Sequence, residues 1–208
     1  MRPIRDILTL APVIPVIVID RLTDAAPMAE ALCAGGLTVL EVTLRTPAGL
    51  GAIAAMKAAR PDAVVGAGTV NTPALLDQAA DAGADFIVAP GLTPALAERA
   101  RLRGLPFLPG IATAGDILRG FELGLDTFKF FPAETSGGIP AIKALEGPFP
   151  DIVFCPTGGI TLESAPRYLA LSSVRCVGGS WITPKAAIDK GDWAFVQTTA
   201  AQARQLAG

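Results

Sequence analysis

Apolar, β-rich segments punctuate the chain at a nearly constant interval. They begin near Val13 (VIPVIVI), Thr38 (TVLEVTL), Ala63 (AVVGAGT), Phe86 (FIVAP), Pro106 (PFLPG), Thr127 (TFKFFP), Ile152 (IVFCPTGG) and Val174 (VRCVGGS), with successive starts 20 to 25 residues apart. That interval holds one short strand, one helix and two tight connections. The stretches between carry helix punctuation. Thr46-Pro47, Thr72-Pro73, Thr93-Pro94 and Thr183-Pro184 each set an N-capping hydroxyl before a proline suited to the first helical position. Gly35, Gly83, Gly104 and Gly124 fall where the apolar periodicity ends and a left-handed terminator belongs. No Ser- or Gly-rich linker and no charge block divides the units. Eight strand–helix units in succession predict a single (β/α)8 TIM barrel, one domain over residues 1–208. A doubly wound open sheet is the competing arrangement. In both, ligands bind beyond the carboxyl ends of the strands.

Composition sharpens this picture. Apolar residues make up 51% of the chain before its 22 glycines are counted, and charged residues only 17%, against about 25% in an ordinary soluble domain. Such a bias excludes disorder and suits strands buried on both faces. The longest uncharged stretch, Ala63 to Leu76, has 14 residues, short of the roughly 20 a membrane-spanning helix needs. Residues Met1 to Asp20 imitate a signal peptide, but Asp6, Pro12, Pro15 and a run of β-branched residues favour a strand there. A net charge of −2 without a basic run gives no footprint for nucleic acid.

The chain contains no histidine. That removes Ser-His-Asp and Cys-His catalysis, and leaves acid–base work to carboxylates, lysine, cysteine or the lone Tyr168. Cys33, Cys155 and Cys176 are widely spaced and odd in number, which predicts reduced, buried thiols rather than a disulfide framework or a metal site.

Against this background Lys129 stands out. In the sixth segment, alternation puts Thr127, Lys129 and Phe131 on one face and Phe128 and Phe130 on the other. If the phenylalanines meet the helices, the lysine points into the barrel, where lysine is seldom buried without a partner. Burial favours a neutral amine, the form that attacks a carbonyl to make a Schiff base. A buried salt bridge, or a lysine snorkelling to the rim, is the alternative. Glu41 lies mid-strand in Val39-Leu40-Glu41-Val42-Thr43-Leu44-Arg45 and shares a face with Arg45. Glu41 can pair with Lys129 structurally or serve it as a proton shuttle. Arg45 at the rim can clamp a carboxylate through two parallel hydrogen bonds.

Glycine pairs mark the last two strand ends, Pro156-Thr157-Gly158-Gly159-Ile160 and Val177-Gly178-Gly179-Ser180. Exposed backbone N–H groups beside hydroxyls there suit a phosphate, at the usual barrel phosphate position; tight turns are the plainer explanation. Neither motif contains a lysine or arginine, so any phosphate is expected to rest mainly on backbone amides. Gly66-Ala67-Gly68-Thr69 and Ala89-Pro90-Gly91 end the third and fourth strands; small residues there give a ligand room to approach the backbone, or serve ordinary barrel turns.

The segments PVIPVIVID, LEVTLRTP, VGAGTV, APGLTP, FKFFPAE, FCPTGGI and VGGSW, in this order along nearly the whole chain, resemble those of the 2-keto-3-deoxy-6-phosphogluconate (KDPG) and 4-hydroxy-2-oxoglutarate aldolases. The resemblance implies a class I aldolase in which Lys129 forms the Schiff base, Glu41 is the general acid/base and Arg45 binds the carboxylate of the pyruvate moiety. It further implies that Thr69, Pro90 and Phe131 line the substrate site, and that Thr157, Gly158, Gly159, Gly178, Gly179 and Ser180 hold the phosphate. The family pattern implies a cytoplasmic homotrimer that needs no metal or organic cofactor. Two other functions fit a barrel of this composition. One is an isomerase or transferase of a sugar phosphate in which Lys129 acts by charge alone. The other is a non-catalytic sugar-phosphate binder or assembly scaffold, suggested by the alanine-rich helices and sparse charge.

Overall fold

Each predicted apolar segment forms a parallel strand, or pairs with one, in the computed structural model, which describes residues 2–206. The strands are β1 (Val13–Ile17), β2 (Val39–Thr43), β3 (Val64–Gly68), β4 (Phe86–Val88), β5 (Phe107–Leu108), β6 (Gly110–Ile111), β7 (Thr127–Phe130), β8 (Val153–Pro156) and β9 (Val177–Gly179). All their pairings are parallel. They form a six-stranded sheet, β5-β4-β3-β2-β1-β9, and a three-stranded sheet, β6-β7-β8. The segment from Pro106 is split in two at Pro109, which has no N–H to give to a ladder. Its carbonyl still accepts from the Lys129 N–H at 2.9 Å. Single parallel bridges, Phe154 to Val174 and Thr157 to Gly178, connect β8 with the β9 segment. The result is an α/β fold with a curled parallel sheet.

Strand parity divides the core in two. Outward residues such as Val42, Phe128, Phe130 and Phe154 pack with helix residues such as Ile53, Ile117 and Ile142. Inward residues, among them Ile14, Val39, Phe86, Val88, Val153, Cys155 and Cys176, form a second cluster. Ile7 and Leu8, at the end of a helical turn (Ile4–Ile7) that periodicity does not reveal, belong to this inner cluster. The signal-peptide-like start is therefore this turn followed by β1, a strand paired on both sides. No helix among the described residues is long and apolar enough to cross a membrane.

Several local expectations are corrected. Thr72 and Thr93 cap their helices, accepting from the N–H groups of Leu75 and Leu96. Thr46 and Thr183 do not. The Thr46 hydroxyl donates instead to the Ile19 carbonyl, and its helix starts later, at Gly49. The Thr183 hydroxyl is buried without a partner. Thr113 forms an unforeseen capping box with Asp116. Gly83, Gly104 and Gly124 have left-handed φ, but after the helix Ala25–Ala34 the C-cap Gly35 has φ −77° and the left-handed residue is the next one, Gly36 (φ 90°). Gly35 is small for another reason: a Cβ there would press on Ala200 and the Gln197 carbonyl of the last helix, Trp193–Arg204. Cys155 and Cys176, distant in sequence, lie with sulfurs 3.5 Å apart, while all three cysteines are free and buried.

The outward placement of Phe128 is what turns Lys129 inward, and it depends on Gly120, whose Cβ would overlap the Phe128 ring. Gly120→Ala is expected to lower unfolding stability by about 1–3 kcal/mol through overpacking, despite alanine's better helix propensity. Urea denaturation checks this; a stabilised variant would contradict the packing.

Candidate active site

Register brings the two inward charges together. Glu41 sits level with Val16 of β1 and Gly66 of β3. Lys129 sits level with Gly110 of β6 and Cys155 of β8. Across the inner face of the curled sheet the Lys129 Nζ donates to Glu41 Oε1 at 3.1 Å, with side-chain exposures of 6% and 4%. A lysine snorkelling to the rim is thereby excluded. Phe131, two residues further along the same face, places its ring centroid 5.2 Å from the amine, within cation–π range.

Small residues make room for this pair. A Cβ on Gly68 would overlap the Glu41 carboxylate, and one on Gly66 would overlap the Phe86 ring. The glycines of Gly66-Ala67-Gly68 thus accommodate protein side chains, where the sequence suggested room for a ligand. The Cys155–Cys176 pair belongs to the inner cluster at the same level of the sheet. Burial, the neighbouring Cys155 and the Glu41 charge all push the Cys176 thiol well above the ordinary range. It stays protonated and unreactive.

Arg45 lies at the rim, and its Nε donates to Thr69 Oγ1 at 3.2 Å. Thr69 has φ 61°, the sole non-glycine residue with positive φ among the described residues. A threonine costs about 1–3 kcal/mol in that conformation and persists only where its surroundings impose it.

A cavity of about 250 Å³ opens beside these groups. Arg45 and Phe131 line it, facing Thr157, Gly158, Gly159, Gly178 and Ser180. Val16 and Ile160 complete the wall; the sequence singled out neither, because an apolar strand residue carries no signal beyond burial. Five expected site residues do not line it: Lys129 and Glu41, buried against each other, and Thr69, Pro90 and Gly179. Thr69 reaches it only through Arg45. The Pro90 carbonyl packs on Gly110, and Gly179 faces the Trp181 ring. Gly158 and Gly159 have consecutive left-handed φ values of 104° and 81°, a backbone that glycine adopts without steric cost and that leaves its amides uncovered by a side chain. Gly178 and Gly179 are extended strand; a Cβ on Gly178 would overlap the Thr157 hydroxyl. A larger cavity, about 480 Å³, lies at the amino ends of the strands beside Lys57 and Asp85 and contains none of these groups. No cluster of three or more potential metal ligands exists among the described residues.

A buried amine paired with a carboxylate, a guanidinium at the rim and a glycine turn opposite form a site for a bifunctional organic acid. The sequence profile of the KDPG and KHG aldolases matches residues 4–199. The chain belongs to this aldolase family. It is 56% identical over 184 residues to the 2-dehydro-3-deoxy-phosphogluconate aldolase of Zymomonas mobilis, covering 88% of each chain. The crystal structure of the Zymomonas mobilis ZM4 KDPG aldolase with 3-phosphoglycerate is similar to this fold, with a TM-score of 0.94, 53% identity and coverage of 99% and 97%. The Legionella pneumophila KDPG aldolase, with pyruvate captured as a covalent carbinolamine, aligns with a TM-score of 0.93, 45% identity and coverage of 95% and 96%.

In this aldolase the Gly68 contact is testable. Gly68→Ala is expected to leave a folded protein whose kcat falls about 10²-fold or more, because its methyl displaces the only buried carboxylate beside the amine. Circular dichroism and steady-state kinetics check it. Wild-type turnover in the variant would show that the position of Glu41 is immaterial.

Proposed function

We propose that this aldolase cleaves 2-keto-3-deoxy-6-phosphogluconate to pyruvate and glyceraldehyde 3-phosphate through a Schiff base on Lys129, and that it also acts on 4-hydroxy-2-oxoglutarate. The observation that carries the reading is the buried Lys129–Glu41 contact of 3.1 Å. It pairs the nucleophile with the one group positioned to take its proton, in a chain without histidine.

The chemistry follows from those positions. Glu41 takes a proton from the Lys129 ammonium, and the neutral amine attacks the C2 carbonyl of the substrate to give a carbinolamine. Glu41 returns the proton to the departing hydroxyl, and water leaves as the protonated imine forms. The imine draws electrons from the C3–C4 bond while Glu41 accepts the 4-hydroxyl proton. Glyceraldehyde 3-phosphate departs, the enamine is protonated at C3, and hydrolysis frees pyruvate and the amine. The protonated imine is the electron sink that a metal ion otherwise supplies, so neither metal nor organic cofactor enters the scheme.

Arg45, locked by Thr69, binds the substrate carboxylate. Phe131 bounds the pyruvate moiety, and the phosphate rests on Thr157, Gly158, Gly159, Gly178 and Ser180, all of which line the cavity, while Pro90 and Gly179 do not. The left-handed Gly158–Gly159 turn supports this assignment most directly. We further propose that residues 1–208 form one domain whose strands close into a complete (β/α)8 barrel. Continuity through Pro109 and the bridges from β8 to the β9 segment support closure. A homotrimer in the cytoplasm accords with the family. An isomerase, a transferase or a binding scaffold is not favoured, since none requires a carboxylate against a buried lysine.

Incubation with pyruvate and borohydride, followed by peptide mapping, is expected to give one reduced adduct, on Lys129. Lys129→Ala is expected to lose at least about 10³-fold in cleavage while keeping its fold, and Lys129→Arg to fail similarly because it retains charge but forms no imine. Substantial turnover in either variant, or adducts scattered over surface lysines, would overturn the imine mechanism.

A further inference from the structure

Contacts on the side of the Gly158–Gly159 turn away from the cavity determine how that turn is held. Glycines with left-handed φ have no intrinsic preference for that conformation over others, so the turn must be fixed from outside. Backbone contacts fix its first half: the Ala133 N–H donates to the Thr157 carbonyl at 2.8 Å, and the Glu134 N–H to the Gly158 carbonyl at 3.1 Å. The second half rests on a side chain. A Cβ on Gly159 would meet Glu134 Cγ at 2.7 Å and Cβ at 2.8 Å, so the Glu134 stem lies directly against Gly159. Its carboxylate is held in turn by Tyr168, whose hydroxyl donates to Glu134 Oε1 at 2.6 Å.

Tyr168 is the only tyrosine in the chain. It is 1% exposed and sits in the short helix Ala165–Leu169. Burial first, then the bond to Glu134, raise its hydroxyl above the ordinary tyrosine range, so it remains a donor. Glu134 and Tyr168 line a separate cavity of about 200 Å³ with Gly138 and Arg167, while Gly158 and Gly159 line the substrate cavity. The turn is the partition between them. An unrestrained carboxylate beside that partition would repel a phosphate on its other side.

We propose that Glu134 and Tyr168 are positioning residues for the phosphate end of the substrate: the stem of Glu134 holds the Gly158–Gly159 turn in its anion-receiving form, and Tyr168 holds the Glu134 charge in the neighbouring cavity. This rests on the phosphate assignment made above. Neither residue touches substrate, and neither takes part in imine chemistry.

The test compares the phosphorylated keto acid with 4-hydroxy-2-oxoglutarate, which lacks the phosphate. Tyr168→Phe keeps the ring and removes the donor. It is expected to raise KM for the phosphorylated substrate about five- to tenfold, with kcat for both substrates and KM for the unphosphorylated one within about twofold. Glu134→Gln keeps the stem and an acceptor without the charge, and is expected to leave KM for the phosphorylated substrate unchanged or lower. A purely structural role would move both substrates alike; that result, or no change in Tyr168→Phe, overturns the proposal. If Tyr168→Phe fails to fold, Glu134→Ala must show the same phosphate-selective rise, and its absence overturns the proposal equally. Inorganic phosphate should compete with the phosphorylated substrate on the wild-type enzyme. If it does not, the phosphate assignment itself has failed, and this inference with it.

Discussion

A lysine and a glutamate 3.1 Å apart, each about 95% shielded from water, are the constraint around which the interior is built. Removing two charges from water costs several kcal/mol per ion, and their attraction commonly returns no more than that. An apolar pair of similar volume would serve stability as well. The pair therefore makes sense as chemistry that the fold tolerates. Its tolerance is visible in the neighbours: the Phe131 ring over the amine, a glycine opposite the carboxylate, and the Cys155 and Cys176 side chains in the inner cluster. A third charge in that space would break the balance, and the burial that keeps the Cys176 thiol protonated prevents one from forming.

Glycine distribution follows from the same crowding. Within the inner face, three bulky or polar groups each have a bare Cα to lie against. Phe86 lies over Gly66, Glu41 over Gly68, and the Thr157 hydroxyl over Gly178. None of these three glycines has positive φ. Their value is volume, not conformational freedom, which is reserved for turns such as Gly158–Gly159.

How much of this was readable in advance depends on the kind of signal. Strand period and spacing located every strand segment, because burial on both faces leaves an apolar run bounded by turn residues. The inward direction of Lys129 and Glu41 followed from parity alone. Parity could not say that Gly66 and Gly68 serve side chains, since the partner of a small residue lies on another strand. It could not reveal the Cys155–Cys176 contact, which depends on register between segments 21 residues apart. Thr46 and Thr183 imitate caps because a Thr-Pro pair has the right local chemistry. Thr46 is instead drawn to the Ile19 carbonyl, an acceptor no local pattern contains. Val16 and Ile160 were invisible as site residues for the same reason that any apolar wall is.

The two ends of the cavity solve recognition in different ways. At one end a side chain does the work: Arg45 is long, exposed and mobile by nature, and is fixed by a threonine held in a strained backbone conformation. Strain of that sort is retained where geometry matters more than stability. At the other end the groups proposed to hold the phosphate are backbone amides on glycines, which carry no side chain that could be anchored. Rigidity there has to be supplied from behind, by whatever packs on the far face of the turn. The stem of Glu134 occupies that position, and a buried tyrosine holds its charge in place. A site made of backbone thus moves its determinants away from the ligand, into residues that never contact it. The Arg45 end could be inferred from a motif; the far side of the glycine turn emerges only from the packing.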